Sequence, residues 1–153
     1  AINRALNIYR QKGYSEEWIN QRLKTIDIRK EFTDELKEKG ISEAKDFAIL
    51  TNILTQAWSG HSVKEYKNLK GLKKENLRDN MTNMELVLNM LAETSSTEIS
   101  KSKNEKGFKE AQDSVIEGGN IDRVAREQLE RKTGKRVVSN KSVKEIRKLN
   151  SGK

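Results

Sequence analysis

Histidine and cysteine, two residue types that often carry catalysis, are nearly absent from this sequence of 153 residues. General acid–base pairs could exist among the 23 Asp and Glu residues, but nothing in the sequence singles any out. There is no cysteine, which excludes thiolate nucleophiles, disulfides and thiolate metal sites. His61 is the one histidine, in a Gly-His-Ser turn. A single imidazole completes neither a metal site nor a catalytic triad with the carboxylates at hand. We therefore expect His61 to be a turn residue, and we expect no bound metal and no cofactor.

Two short patterns resemble parts of enzyme sites without completing them. Thr133-Gly134-Lys135 matches the end of a phosphate-binding loop, but Arg136 follows where Ser or Thr belongs, and Leu129 replaces the first glycine. Acid-x-Lys triplets such as Glu35-Leu36-Lys37 are typical of metal nucleases. A chain with 35% charged residues produces such triplets by chance, and no strand pattern is present to support one. The sequence predicts a protein that is not an enzyme and has no catalytic residue.

Positively charged side chains are the remaining candidates for a functional site. The net charge is +8, and residues 120–153 contain eleven Lys and Arg against four Asp and Glu. Two groups surround glycine turns and are the candidate residues for binding nucleic acid or a partner: a first basic cluster of Lys70, Lys73, Lys74 and Arg78, and a second basic cluster of Arg131, Lys132, Lys135 and Arg136. Fixed Lys and Arg groups bind phosphates. Cations also suit helix C-termini, so a structural or solubilising role stays open. Aromatic residues, at 5%, are too few for a platform that stacks single-stranded bases.

The basic residues are expected to lie on helices or on the turns between them. The sequence has no proline, which would break helix interiors, and it is rich in Leu, Lys, Glu and Ala. Apolar residues recur at helical spacing, and strand-like alternation is nearly absent. The pattern predicts an all-α fold, an elongated bundle of about six to eight helices with a basic C-terminal helical arm. The strongest helix begins at a capping box in residues 82–85 and is expected to bury Leu88 and Leu91. Further capping boxes are predicted in residues 62–65 and 142–145.

Glycines suggest how the chain is divided. Gly118-Gly119 is expected to be a hinge between a helical core, residues 1–117, and the basic helical arm, residues 118–153. Asn120 would then cap a new helix. A kink or break is also expected at Ile26-Asp27-Ile28, inside an otherwise continuous helical pattern.

The balance of apolar and charged residues suggests that a partner completes the core. The hydrophobic fraction is 33%, so the apolar stripes are narrow, and Phe108, Val115 or Ile121 could complete their burial in a homodimer. No apolar run approaches the roughly 18 residues of a membrane span, and no signal peptide is visible. We expect a cytoplasmic protein without membrane contact and without an evident small-molecule substrate. Because the sequence starts at Ala1 within a helical pattern, we also expect it to be a piece of a longer chain.

Several segments, in order along nearly the whole chain, are similar to a known family. They are residues 9–15, 18–19, 28–33, 47–50, 70–74, 81–86 and 97–99. These segments resemble the bacterial DNA-damage-inducible protein D family, and the region from Gly118-Gly119 to residues 133–135 resembles phage-antirepressor-like relatives. The resemblance implies a Bro-N domain ahead of this region, which is missing from this sequence. It further implies a gene of the SOS response whose product restrains the RecA recombinase and its filaments, and it supplies no catalytic residue.

The resemblance and the basic last fifth together favour one function. They suggest a non-enzymatic regulatory binding protein of the SOS DNA-damage response, acting on a RecA-type recombinase or on DNA. The alternative is a phage-antirepressor-like domain, in which the helices oligomerise or bind a repressor while the missing domain contacts DNA. The two hypotheses name different protein partners, so a pull-down from damaged cells separates them.

Overall fold

A computed structural model describes residues 2–142, which form six α-helices and one short 3₁₀ helix and contain no strand. The helices are α1 (Ile2–Gln11), α2 (Glu16–Glu38), α3 (Ala44–Ser59), α4 (Val63–Leu69), α5 (Asn83–Lys101) and α6 (Phe108–Thr133), and the 3₁₀ helix is Arg78–Asn80. The predicted all-α fold is confirmed. The capping box predicted for residues 142–145 lies largely outside the described residues, as does the rest of the arm after Ser142.

Most helix ends lie where local signals in the sequence place them. Ser15 caps α2 by accepting a backbone N–H at 3.2 Å. Ser62 and Thr82 begin complete capping boxes at the starts of α4 and α5. Gly60 and Gly134 end α3 and α6 with φ of 80° and 69°, a left-handed conformation that glycine adopts without strain. The positions of these helix ends determine which polar residues lie in the turns between helices.

The centre of the fold is α5, which packs against α2, α3 and α6, while α6 also packs against α3. Leu88 is buried, as predicted, with 6% of its surface exposed. The prediction for Leu91 is wrong, because 36% of its surface is exposed. Leu91 lies on the same helical face as the exposed Met84 and Glu98, seven residues to either side. Since α5 also buries a face of polar residues, its apolar residues cannot all point inward.

The Ile26-Asp27-Ile28 stretch, predicted to be a kink or a break, does not break the helix, because α2 continues without interruption from Glu16 to Glu38. Two β-branched residues lower helix propensity by only a few tenths of a kcal/mol each. Packing against α5 outweighs this small preference. Arg22 and Arg29 therefore lie on one continuous helix.

The Gly118-Gly119 pair lies inside α6 and is a close contact between helices. A Cβ added to Gly118 would lie 2.2 Å from Ser96 Oγ and 2.5 Å from Ser96 N, and one added to Gly119 would lie 2.5 Å from Ala57 Cβ. Glycine is needed because α6 passes this close to α5 and α3, so the predicted hinge is wrong. Asn120 is likewise a helix-interior residue and caps nothing. The division into core and arm stays a prediction, but its boundary falls within a continuous helix.

Candidate functional site

The second basic cluster lies at the C-terminal end of α6 and on the turn that follows it. Gly134 reverses the chain, and all four cations of the cluster are exposed. Among the described residues, none of these four side chains forms an ion pair or a hydrogen bond. Within residues 2–142 the cluster therefore presents positive charge that no acid neutralises.

Nearby acids do not neutralise the second basic cluster, because they are engaged within α6. Arg126 Nη1 pairs with Glu130 Oε1 at 2.7 Å, and Arg123 Nη1 pairs with Glu127 Oε1 at 3.2 Å, both four residues apart. From residue 131 to residue 141 the chain has five Lys and Arg and no acid. The positive charge is consequently concentrated at one end of the helix.

The turn that carries the second basic cluster is attached to the helix and to the core. Val137 N–H donates to Glu130 Oε2 at 3.0 Å, and Lys135 N–H donates to Thr133 Oγ1 at 3.3 Å. Val138 is buried among the core residues. The cations thus stand on a fixed backbone. Sequence reasoning missed the part played by Glu130, whose only local signal was its i, i+4 spacing from Arg126.

The first basic cluster is divided between the interior and the surface. Lys70 is buried, its Nζ pairs with Glu85 Oε1 at 2.7 Å, and it also donates to the backbone oxygen of Lys141. Contrary to the prediction, Lys70 is withdrawn from any partner, because it neutralises a carboxylate inside the core. Lys73 and Lys74 are exposed and form no ion pair within residues 2–142. The Lys70–Lys141 contact brings the end of α4 against the segment that follows the second basic cluster.

Arg78, the fourth member of the first cluster, is held in place by an acid of α5. Its Nη2 pairs with Glu93 Oε2 at 2.9 Å, and 17% of its side-chain surface stays exposed. The same Glu93 oxygen accepts a hydrogen bond from Arg29 Nη1 at 3.2 Å. Arg78 therefore combines a structural contact with access to solvent.

Ionisable groups are also buried where α4, α5 and α6 face one another. Tyr66 O–H donates to Glu85 Oε2, and burial together with that carboxylate raises the pKa of Tyr66. Asp122 is fully buried, and neither of its carboxylate oxygens has a hydrogen-bond partner in the described part of the chain. Burial raises the pKa of Asp122 to about 8, although Arg126 opposes the shift. Burial thus favours the protonated form of Asp122.

The remaining predicted features have different outcomes. His61 lies in the turn between α3 and α4, as predicted. No three His, Asp or Glu side chains within residues 2–142 are placed to hold a metal ion. Val115 is already buried within the monomer, so its predicted role at a dimer interface is wrong. Phe108 is half-buried and Ile121 is 51% exposed, and the homodimer stays a prediction.

No helix in residues 2–142 is long and apolar enough to cross a membrane.

Comparison with known proteins gives the chain a family. Neither a search of curated proteins nor a search of solved structures found a match. The family model of the DinD C-terminal domain matches residues 14–146, which is most of the chain. This chain therefore belongs to the DinD C-terminal domain family, a family of DNA-damage-inducible proteins.

Proposed function

We propose that this chain is the helical partner-binding region of a non-enzymatic regulator of the bacterial SOS DNA-damage response. In this proposal the protein acts on RecA-type recombinase filaments, and the second basic cluster contacts the phosphates of the DNA within them. Family membership supports the link to DNA damage. The observation that carries the proposed contact is the set of four exposed cations, unpaired within residues 2–142, at the end of α6 and on the anchored turn that follows.

The geometry favours phosphate contact over a purely solubilising role. A solubilising segment needs charge but no fixed backbone, whereas this turn is fastened by Glu130 and by the buried Val138. Anchoring lowers the conformational entropy that is lost when a partner binds. Phosphate contacts position a protein on DNA without reading its sequence, which suits a protein that follows a filament.

The first experiment measures binding to a fluorescent single-stranded oligonucleotide by anisotropy at several salt concentrations. Each phosphate contact contributes a logarithmic slope of about −0.7 on single strands, so four contacts give roughly −3. Replacing Arg131, Lys132, Lys135 and Arg136 together by Ala should flatten the slope and weaken binding equally on every base sequence. The variant K24A/K37A/K106A/K109A is the matched control, because it removes four exposed charges outside both basic clusters.

Two results would contradict the proposed contact. If the four-Ala variant binds with unchanged affinity and slope, the second basic cluster has no part in DNA binding and the proposed contact is wrong. If the parent protein binds no DNA even at low salt, the cluster would have to serve an acidic protein surface. A pull-down from damaged cells then shows whether that protein is a recombinase or a repressor. Truncation at Gly118 is unsuitable, because it would remove more than half of α6 from the core.

A further inference from the structure

Two adjoining clefts lie between α2, α3 and the segment that contains the 3₁₀ helix. They measure about 370 and 200 Å³, and they share Thr51, Asn76 and Arg78 in their walls. The cations that line them are Arg22, Arg29, Lys67 and Arg78, and neither wall includes an acidic residue. Arg22 is already paired with Asp79 at 2.9 Å, so the charge available to a ligand comes from the other three. We treat the two clefts as one feature, the arginine cleft. Its charge is opposite to that of an anionic ligand.

A single buried carboxylate positions two arginines in the arginine cleft. Glu93 Oε2 accepts from Arg29 Nη1 at 3.2 Å and from Arg78 Nη2 at 2.9 Å, and Glu93 itself is fully buried. The other carboxylate oxygen, Glu93 Oε1, accepts a hydrogen bond from Asn89 Nδ2 at 3.0 Å. One negative charge therefore holds two positive charges. A structural ion pair needs only one arginine, so the second leaves an uncompensated charge at the cleft.

Most hydrogen-bond donors of these two arginines are unused by the protein. Each guanidinium carries five N–H donors, about ten in all. The described protein accepts three of them, two at Glu93 and one at Thr51 Oγ1, which lies 2.5 Å from Arg29 Nη2. Both side chains keep some access to solvent, 28% for Arg29 and 17% for Arg78. Burial and repulsion from Arg78 lower the pKa of Arg29 while Glu93 raises it. A bound anion would relieve that repulsion.

Two further residues add donors without a competing acceptor. Asn76 Oδ1 accepts the backbone N–H of Arg78 at 2.9 Å and that of Asp79 at 3.2 Å. The Asn76 oxygen is thereby assigned, and its amide nitrogen forms no hydrogen bond within the described residues. Lys67 is half-buried at the cleft and has no ion pair in that same part of the chain.

We propose that the arginine cleft is a binding site for a phosphate group. Guanidinium forks, an amide and an ammonium offer more donors than a two-oxygen carboxylate can use, and they suit a tetrahedral oxyanion. Glu93 holds the two arginines in place before the ligand arrives, which lowers the cost of binding. The site is separate from the second basic cluster and does not depend on the function proposed above.

The test is an NMR titration of the ¹⁵N-labelled chain with sodium phosphate, compared with sodium chloride at equal ionic strength. Phosphate should produce saturable shifts in the side-chain N–H signals of Asn76, Arg29 and Arg78, and chloride should not. Shifts that match those in chloride, or that never saturate, would overturn the proposal. The same titration with a 5′-mononucleotide and with a single-stranded oligonucleotide distinguishes a free phosphate group from the nucleic-acid backbone. Saturable shifts with inorganic phosphate support the site, and the other two ligands then show which source of phosphate binds more tightly.

Asn76→Asp is the decisive variant, because it keeps the oxygen that caps the 3₁₀ helix and replaces the amide donor by a negative charge. Losing one charge-assisted hydrogen bond costs about tenfold in affinity, and the added repulsion should increase the loss. Asn68→Asp, on the exposed face of α4, is the matched control for charge and should change the affinity less than about twofold. Equal losses in the two variants would show general electrostatics and contradict the proposal.

Lys67→Gln gives a second test that leaves the cap of the 3₁₀ helix unchanged. Its control is Lys64→Gln, one turn earlier on the same helix and exposed. We expect only the change at Lys67 to weaken phosphate binding, by about threefold to tenfold. Thermal melts of all four variants should match the parent, so that a loss of binding is not a loss of fold. Unchanged binding in both N76D and K67Q would reject the site.

Discussion

Replacing Gly118 by Ala tests the close packing of α6 against α5. Inside an open helix this change stabilises by about 1 kcal/mol, because alanine loses less backbone entropy than glycine on folding. Here the new Cβ would lie 2.2 Å from Ser96 Oγ, 2.5 Å from Ser96 N and 2.7 Å from Ser96 Cα. Backbone atoms cannot rotate away, so the two helices must separate along the largest helix contact in the fold. Overpacking of a core costs about 1–3 kcal/mol and often exceeds the helical gain. Because backbone atoms take part in the clash, we take the cost as about 2–3 kcal/mol, which leaves a net loss of about 1–2 kcal/mol.

The pattern of rescue distinguishes a backbone contact from a side-chain contact. Ser96→Ala removes only Oγ, and the two backbone atoms stay too close, so it should not restore G118A. Gly119→Ala differs, because its nearest neighbour is Ala57 Cβ at 2.5 Å and the next is Leu54 O at 3.3 Å. Ala57→Gly removes that methyl group, so it should restore most of the stability lost in G119A. Double-mutant cycles then give a coupling of about 1 kcal/mol or more for the 57/119 pair and little for the 96/118 pair.

The assay is urea unfolding followed by circular dichroism at 222 nm, with the free energy of unfolding extrapolated to water. An alanine at Gly118 that leaves the protein as stable as the parent, or stabilises it, would refute the packing argument. So would an A57G change that fails to restore G119A. Either result would mean that the glycine pair is a flexible point in α6 and not a close contact between helices.

Three further changes test the buried charges and the core. The folded protein keeps a proton on Asp122 up to a pKa of about 8, whereas the unfolded chain loses it near 3.8, so this group's contribution to stability falls as pH rises between those values. Asp122→Asn should therefore stabilise the protein by about 1–3 kcal/mol more at pH 8 than at pH 4 in urea titrations, and an equal gain at both would contradict the shift. Lys70→Ala should cost about 3–5 kcal/mol, because it leaves its carboxylate partner buried and unpaired, while the exposed Lys73→Ala should cost about 0.5 or less. If thermal melts show that Lys70→Ala and Lys73→Ala lose similar amounts of stability, Lys70 is at the surface. Leu88→Ala should cost about 2–5 kcal/mol in urea unfolding, and Leu91→Ala about 1 or less. A Leu88 variant as stable as the parent would reject that core position.

The sequence alone determined where most helices begin and end. The capping boxes that start at Ser62 and Thr82 lie where they were predicted. The cap at Ser15 and the helix ends at Gly60 and Gly134 are local signals of the same kind. Caps and glycine stops act within about four residues, so the local sequence contains every atom involved. The lack of proline and the helical spacing of apolar residues were likewise sufficient for the all-α fold. The exposed second basic cluster was predictable because its charge lies beside such a stop.

Only the tertiary structure decided which polar residues are buried and what the glycine pair does. Lys70 and Arg78 belonged to one surface cluster by sequence, but Glu85 and Glu93 of α5 hold them, fifteen residues away in each case. Arg29 meets the same Glu93 across 64 positions of sequence. Gly118-Gly119 has the composition of a hinge, and it is a contact because Ser96 and Ala57 of other helices lie against it. The spacing of polar and apolar residues in the sequence indicates which face of a helix is polar. Which neighbour that face meets depends on how close the helix axes lie, and packing across the whole chain sets that distance.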